Sequence, residues 1–330
     1  MPRTAKIGII GAGLSALTAA HDLQKNGHQV ELLEKSHHPG GRMATRNTGE
    51  CTFDHGAQYF TARGDAFKRE VKSWKSQGFV KEWNGRIGEI KNNTFQQSET
   101  PLQRYVGVPS MRAISCQLEK KLCIHYENPV TSTYYRNSEW HLSGRNTEFT
   151  CDTLIISTPP QQALTFLPSK AKLTEIVKKV KLEPCWSVMI TFPRSLDISF
   201  DAAFINKGPI SWIARNSSKP KRNDIESWVL HATSEWSLDF FDQSGEVVTE
   251  VLLDCFQTIA GQNRITPNFT AAHRWRYSTC KSPLNCGSLW DSHLKIGLCG
   301  DWCDSLRVEG AFMSGRNLAN KIAETYQSNA

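Results

Sequence analysis

A chain of 330 residues with 39% apolar and 10% aromatic content is long enough for a substantial core and reads as two domains. Its net charge of +7 comes from 39 basic and 32 acidic residues mixed along the whole length, with no basic block that would suit nucleic acid. No apolar run reaches the roughly 18 residues of a membrane helix, and ten irregularly spaced cysteines fit reduced thiols, so a soluble cytoplasmic protein without metal or membrane contact is expected.

In chain order, the N-terminus has the outline of a leader (Met1, Pro2, Arg3, Lys6), but Gly8, Gly11 and Gly13 interrupt its apolar run. It reads instead as a strand over Lys6 to Ile10, followed by a helix carrying Leu14, Leu17, Ala20 and Leu23 that ends at Gly27. A second strand, His28 to Glu34, completes a βαβ unit. Loop follows from Pro39 to Phe60, then an amphipathic helix from Asp65 to Gln77 with Phe67, Val71 and Trp74 on one face. A further helix is expected from Ser110, as its cap, to Leu122. Strand patterns recur at Cys123 to Tyr126, Val130 to Tyr135, Trp140 to Ser143 and Thr153 to Ser157, the last stopped by Pro159 and Pro160. Residues 161–283 alternate short helical and strand patterns, rich in tryptophan, and read as a sheet-containing second domain. A buried strand, Ile296 to Cys299, and a helix from Glu309 to Tyr326 close the chain.

The loop Gly11-Ala12-Gly13-Leu14-Ser15-Ala16 lies between strand and helix, where glycines permit the turn and the close approach of a pyrophosphate to the helix N-terminus. Glu34, at the end of the second strand, has the chemistry to accept both hydroxyls of an adenosine ribose. Gly40-Gly41-Arg42-Met43 follows where many FAD enzymes carry a glycine pair and an arginine beside the pyrophosphate. Gly300-Asp301 follows a buried strand, with the acid suited to ribityl hydroxyls, and Val308-Glu309-Gly310-Ala311 opens a helix whose amides suit the flavin pyrimidine edge. FAD is therefore the expected cofactor. Ser15, Lys35, Gln58, Tyr59, Val130 and Thr158 are assigned to it as well.

Longer segments are more specific: Gly56-Ala57-Gln58-Tyr59-Phe60-Thr61-Ala62-Arg63, Trp212-Ile213-Ala214-Arg215-Asn216, Trp228 to Ser234, Ala272-His273-Arg274-Trp275 and Cys299-Gly300-Asp301-Trp302-Cys303. In these the chain resembles, over nearly its full length, the renalases, in particular the bacterial renalase-like branch of the flavin amine oxidase superfamily. The resemblance implies a Rossmann-like FAD-binding domain (α/β) with a second α+β substrate domain, as in p-hydroxybenzoate hydroxylase and amine oxidases. We place the cofactor domain at 1–62, 109–160 and 284–330, and the substrate domain at 63–108 and 161–283. It also implies oxidation of 2- and 6-dihydro isomers of NAD(P), with O2 reduced to H2O2.

For a flat dihydronicotinamide dinucleotide we assign Tyr59, Arg63 and Trp302 to the reacting centre. Phe60, Thr61, Arg104, Tyr105, Cys185, Trp186, Trp212, Asn216 and His231 are expected to bind substrate, the aromatics as walls and the arginines against phosphate or carboxamide. His273, like His231, could hydrogen-bond substrate or be a satisfied structural histidine. Amine oxidases often hold a lysine-bound water near flavin N5, and no motif places such a lysine here. Cys280 and Cys286 lack the surroundings of a flavin attachment site, so dissociable FAD is expected. Rival readings are a flavin amine oxidase or desaturase, and a flavin redox sensor without turnover.

Overall fold

The computed structural model describes residues 4–92, 94–98, 102–144, 148–261 and 265–328. Residues 1–3, which give the N-terminus its leader-like outline, and 329–330, the end of the expected cofactor domain, lie outside the described residues.

Five parallel strands form the first sheet, in the order Ile296–Leu298, Thr153–Ile156, Lys6–Ile10, Gln29–Leu33, Cys123–His125, and Leu289–Asp291 adds an antiparallel edge beside Ile296–Leu298. The inner strands are almost wholly apolar because both faces are covered. Helices Leu14–Lys25 and Val308–Ser328 lie on one face; the antiparallel meander Val130–Arg136, Glu139–Gly144 and Glu148–Cys151 lies on the other. Glycines make both approaches close. A Cβ on Gly8 would meet the Phe149 ring at 2.8 Å, and one on Gly297 would meet Leu318 at 2.6 Å.

The second sheet has seven strands in the order Phe269–Thr279, Glu183–Thr191, Ser227–Ala232, Ile210–Arg215, Ala202–Ile205, Ile87–Lys91, Thr94–Gln97. Its register sets up the site. Trp212 pairs with His231, His231 with Ser187, and Ser187 with His273, so these four side chains form one row on one face. That face packs on the segment 51–58, through Cys51 and Phe53 against Met189 and Val229. The opposite face, with Val188, Ile190, Ile213, Trp228 and Leu230, is closed by the helix Gly245–Ile259. An apolar cluster containing Leu14, Met43, Phe60, Trp74, Trp212 and Phe312 joins the elements of both sheets.

The helix expected from Ser110 spans only Ala113–Glu119, without a side-chain cap. The amides just after Ser110 are held elsewhere: Met111 N–H donates to Asp54 Oδ1 at 2.9 Å and Arg112 N–H to Thr45 Oγ1 at 3.3 Å. Among the described residues no helix is long and apolar enough to cross a membrane.

Candidate active site

The first strand delivers its chain into the turn at Gly11, whose φ of +100° favours glycine. Helix Leu14–Lys25 then starts at Gly13 with no side-chain cap and no acid in its first turn, so its amide end is uncompensated. A Cβ on Gly13 would meet nothing within 4 Å. The second glycine turn lies directly on the first: Gly40 N–H donates to Ala12 O at 2.9 Å, and Gly13 and Gly40 form a parallel bridge. Glu34 closes the cradle, accepting from Ala12 N–H at 2.7 Å and Ser36 N–H at 2.8 Å, which leaves lone pairs on both oxygens for ribose hydroxyls. Open space over unpaired helix amides, beside an acid at the strand end, fits a dinucleotide pyrophosphate.

Arg42 and Asp301, expected to meet the cofactor separately, are joined here. The guanidinium forks onto the carboxylate at 2.9 and 2.5 Å and donates to Ser278 O at 2.9 Å. This ties the second glycine turn to the end of the strand Ile296–Leu298. Glu309, in the first turn of the last helix, accepts from Arg63 N–H at 3.0 Å and Gly64 N–H at 2.7 Å. Its carboxylate thus braces the chain beyond Tyr59. Val308 is buried and Ala311 half-buried at the same helix end, Ser15 and Met43 are buried under the two glycine turns, Lys35 is exposed, and Val130 and Thr158 are half-buried at their strand and loop positions.

Segment 54–60 carries Tyr59 and rests on a buried polar core. Asp54 accepts from Arg222 at 2.5 Å and Lys219 at 3.4 Å, all three essentially without solvent contact. Burial alone would raise the Asp54 carboxyl, but the two cations outweigh it and hold it below its ordinary value. Burial lowers Lys219 to about 8 against the pull of Asp54. Lys219 also donates to Gln58 Oε1 at 3.1 Å, and the Gln58 amide returns to the carbonyls of Asp54 and Gly56. Gln58 therefore locks the loop.

Above this core stands Tyr59, 5.5 Å from the Trp212 ring and 6.3 Å from Trp83. The Arg104 guanidinium lies 5.2 Å from the Tyr59 ring, and Arg104 is only 8% exposed. Neither Arg104 Nε nor Trp212 Nε1 has a hydrogen-bond partner, which is unusual for buried donors. The corner thus gathers aromatic rings around a buried guanidinium, with two N–H groups unpaired.

Beside it, three histidines gather. His231 Nε2 lies 3.2 Å from His55 O, which also accepts from Trp275 Nε1 at 2.9 Å, and His273 meets the His55 ring edge-on at 4.7 Å. Burial pushes His55 and His231 down to about 4 and also lowers His273, so all three are neutral at pH 7. A cavity of about 380 Å³ next to them is lined by Cys185, Ser211, His231, Thr233 and Ser278.

Several expected substrate contacts are not brought together. Trp186 points to the opposite face, donating to Phe240 O at 3.0 Å, because successive residues of a strand alternate faces. Trp302 is 1% exposed and donates to Thr158 O at 3.2 Å, filling the space left by Gly300. Asn216 is buried and cross-braces the chain, accepting from Asp54 N–H and donating to Thr52 O, so its amide is occupied. Phe60 and Tyr105 pair through both backbone groups and stack into the core with Phe67 and Trp74. Thr61 is half-buried and the Arg63 side chain exposed. Conversely, Asp54, Trp83, Lys219 and Arg222 escaped sequence reading. Lys219-Pro220-Lys221-Arg222 looks like a solvated basic turn, and only folding turns its first and last members inward.

Comparison with known proteins agrees with this architecture. Residues 9–73 match the NAD(P)-binding Rossmann-like domain, and residues 94–323 match the flavin containing amine oxidoreductase family. A flavin-dependent L-tryptophan oxidase of Lentzea aerocolonigenes is 51% identical over 45 residues, which is 14% of this chain and 10% of that protein. The chain thus spans a small part of that curated relative. A candidate protoporphyrinogen oxidase from Exiguobacterium sp. 255-15 superposes with a TM-score of 0.80 at 13% identity, covering 98% of this chain and 100% of that one. Cyclohexylamine oxidase from Brevibacterium oxydans superposes with a TM-score of 0.77 at 14% identity, covering 98% and 99%. With its family match running from residue 94 to 323 on a dinucleotide-binding cradle, the chain belongs to the flavin-containing amine oxidoreductase family and takes FAD as its cofactor.

Proposed function

We propose that this chain is an oxidase of the renalase type, converting 2- and 6-dihydroNAD(P) to NAD(P)+ with O2 as final acceptor, on non-covalent FAD. The observation that carries the reading is the corner of Tyr59, Trp212 and Arg104, flat and aromatic with buried N–H donors lacking partners. When bound, FAD supplies hydride acceptance and the return of two electrons to dioxygen. The first sheet and its helices make up the cofactor half, and the seven-stranded sheet with its neighbours the substrate half.

The chain's own residues then have mainly a positioning task. Hydride loss from a dihydropyridine restores aromaticity, so no strong base is required. Tyr59 and Trp212 would flank the ring, and Arg104 would donate to its carboxamide oxygen. The histidines on that side carry no charge at neutral pH. A buried guanidinium disfavours a cationic ammonium in the same place.

A second reading rests on the same arginine. A carboxylate would satisfy Arg104 as well as a carboxamide does, which favours an amino acid over a simple amine and accords with the local similarity to an L-tryptophan oxidase. Anaerobic mixing of the yellow holoprotein with dihydronicotinamide isomers, L-amino acids and amines, followed by flavin bleaching, separates the readings. Bleaching by the 2- and 6-dihydro isomers is expected; bleaching by amino acids or amines alone would overturn the first reading.

A further inference from the structure

Among the described residues, one group of three ligand-type side chains converges away from the candidate site: Glu31, Cys123 and His125. The sheet register explains the convergence. Glu31 pairs with Cys123 and Leu33 with His125 across adjacent parallel strands, so Glu31, Cys123 and His125 share one face at the sheet edge. Cys123 is a free, exposed thiol, and its strand is the last of the sheet.

The separations approach those of a coordination shell. Cys123 Sγ lies 3.7 Å from His125 Nε2 and 4.0 Å from Glu31 Oε2, and the imidazole and carboxylate atoms are 2.7 Å apart. Tetrahedral zinc with ordinary Zn–S, Zn–N and Zn–O bonds sets its ligand atoms about 3.3–3.6 Å apart. Each separation is therefore within about 0.6 Å of that demanded by a tetrahedral ion. Lys6 Nζ sits 3.8 Å from the other carboxylate oxygen, Glu31 Oε1, which leaves Oε2 for an ion. The exposed thiol leaves the fourth position to water.

We propose that Glu31, Cys123 and His125 form a binding site for a zinc-class divalent ion at the edge of the first sheet. One thiolate, one imidazole and one carboxylate suit a borderline ion and not magnesium or calcium, which take oxygen ligands. Binding releases the thiol proton to solvent, leaves the imidazole proton on Nδ1 so that Nε2 presents its lone pair, and replaces the Glu31–His125 hydrogen bond with two metal bonds. The spacing of cysteines in the sequence predicted no metal, because these ligands come from strands some ninety residues apart.

The site adjoins the cofactor cradle. The carbonyl of His125 accepts from Glu34 N–H at 2.9 Å, so an ion fixing His125 also fixes the strand end that carries the ribose-facing acid.

The test is calorimetric titration of chelator-treated FAD holoprotein with zinc chloride, and separately with magnesium chloride. Alkylation of Cys123, read by peptide mass mapping, is followed with and without zinc. One zinc per chain is expected, with Cys123 protected, and with affinity weakened about tenfold or more in Cys123→Ser and in His125→Ala. Absence of saturable zinc binding, unchanged affinity in either variant, or equal binding of magnesium would overturn the site. Zinc stoichiometry and thiol protection are read without substrate or turnover, so the site stands or falls apart from the catalytic reading.

Discussion

Replacing Gly315 by alanine sets two effects of opposite sign against each other. In a helix interior, glycine to alanine stabilises by about 0.5–1 kcal/mol through backbone entropy. Gly315, however, is where the last helix crosses the first: a Cβ there would lie 2.2 Å from Ser15 O and 3.1 Å from Ala19 N. Both are backbone atoms of helix Leu14–Lys25, so no side-chain rotation relieves the overlap and the two helices must separate. Overpacking of this kind costs about 1–3 kcal/mol, so steric loss exceeds the propensity gain and net destabilisation of about 1–2 kcal/mol is expected. Displacement of Ser15 also moves the helix amides assigned to the pyrophosphate. Urea unfolding should show a lower midpoint, and fluorescence titration should show weaker FAD binding. A variant stabilised by the full propensity increment, with FAD affinity intact, would refute the close helix crossing as the feature that positions the cradle.

Gly13→Ala should behave oppositely in the apoprotein. Its Cβ meets no protein atom within 4 Å, so the unfolding midpoint should hold while FAD affinity falls; unchanged affinity would place the pyrophosphate elsewhere. Asp54→Asn leaves Lys219 and Arg222 buried without their counter-ion and should destabilise by about 3–5 kcal/mol in urea unfolding, whereas Lys221→Gln on the same turn should be neutral. His55 and His231 have folded values of about 4, below the ordinary 6.5, so the unfolded chain takes up protons first as pH falls. Their contribution is complete above 6.5 and is lost on the way down to 4, amounting to about 2 kcal/mol per histidine by pH 5. A flat unfolding midpoint between pH 7 and pH 5 would contradict their burial as neutral groups. Arg104→Leu should lower kcat/KM by about 10- to 100-fold, the worth of a charged hydrogen bond, while Trp186→Phe should leave it unchanged.

What the sequence made legible follows from range of interaction. The turn at Gly11, the helix after it and Glu34 are local in sequence, and periodicity with turn chemistry located them to within a residue or two. Trp186 and Trp302 were misplaced for a different reason. Composition marks a tryptophan as large and amphipathic, but which face of a strand it takes depends on register, and the register of Glu183–Thr191 is set by strands up to 96 residues distant. Asn216 looked like a free amide because its partners, Thr52 and Asp54, come from the other end of the chain. The Asp54–Lys219–Arg222 core was invisible for the same reason. Row order in the second sheet, which aligns Trp212 with His231 and His273, is a property of pairing and no single segment carries it.

The most direct test of the catalytic account is an anaerobic stopped-flow comparison on one preparation of FAD holoprotein. The 2- and 6-dihydro isomers of NAD(P) should bleach the flavin within the mixing series and release NAD(P)+, and Arg104→Leu should require more substrate for the same rate. Bleaching by L-amino acids or amines, with the dihydro isomers inert, would contradict the account.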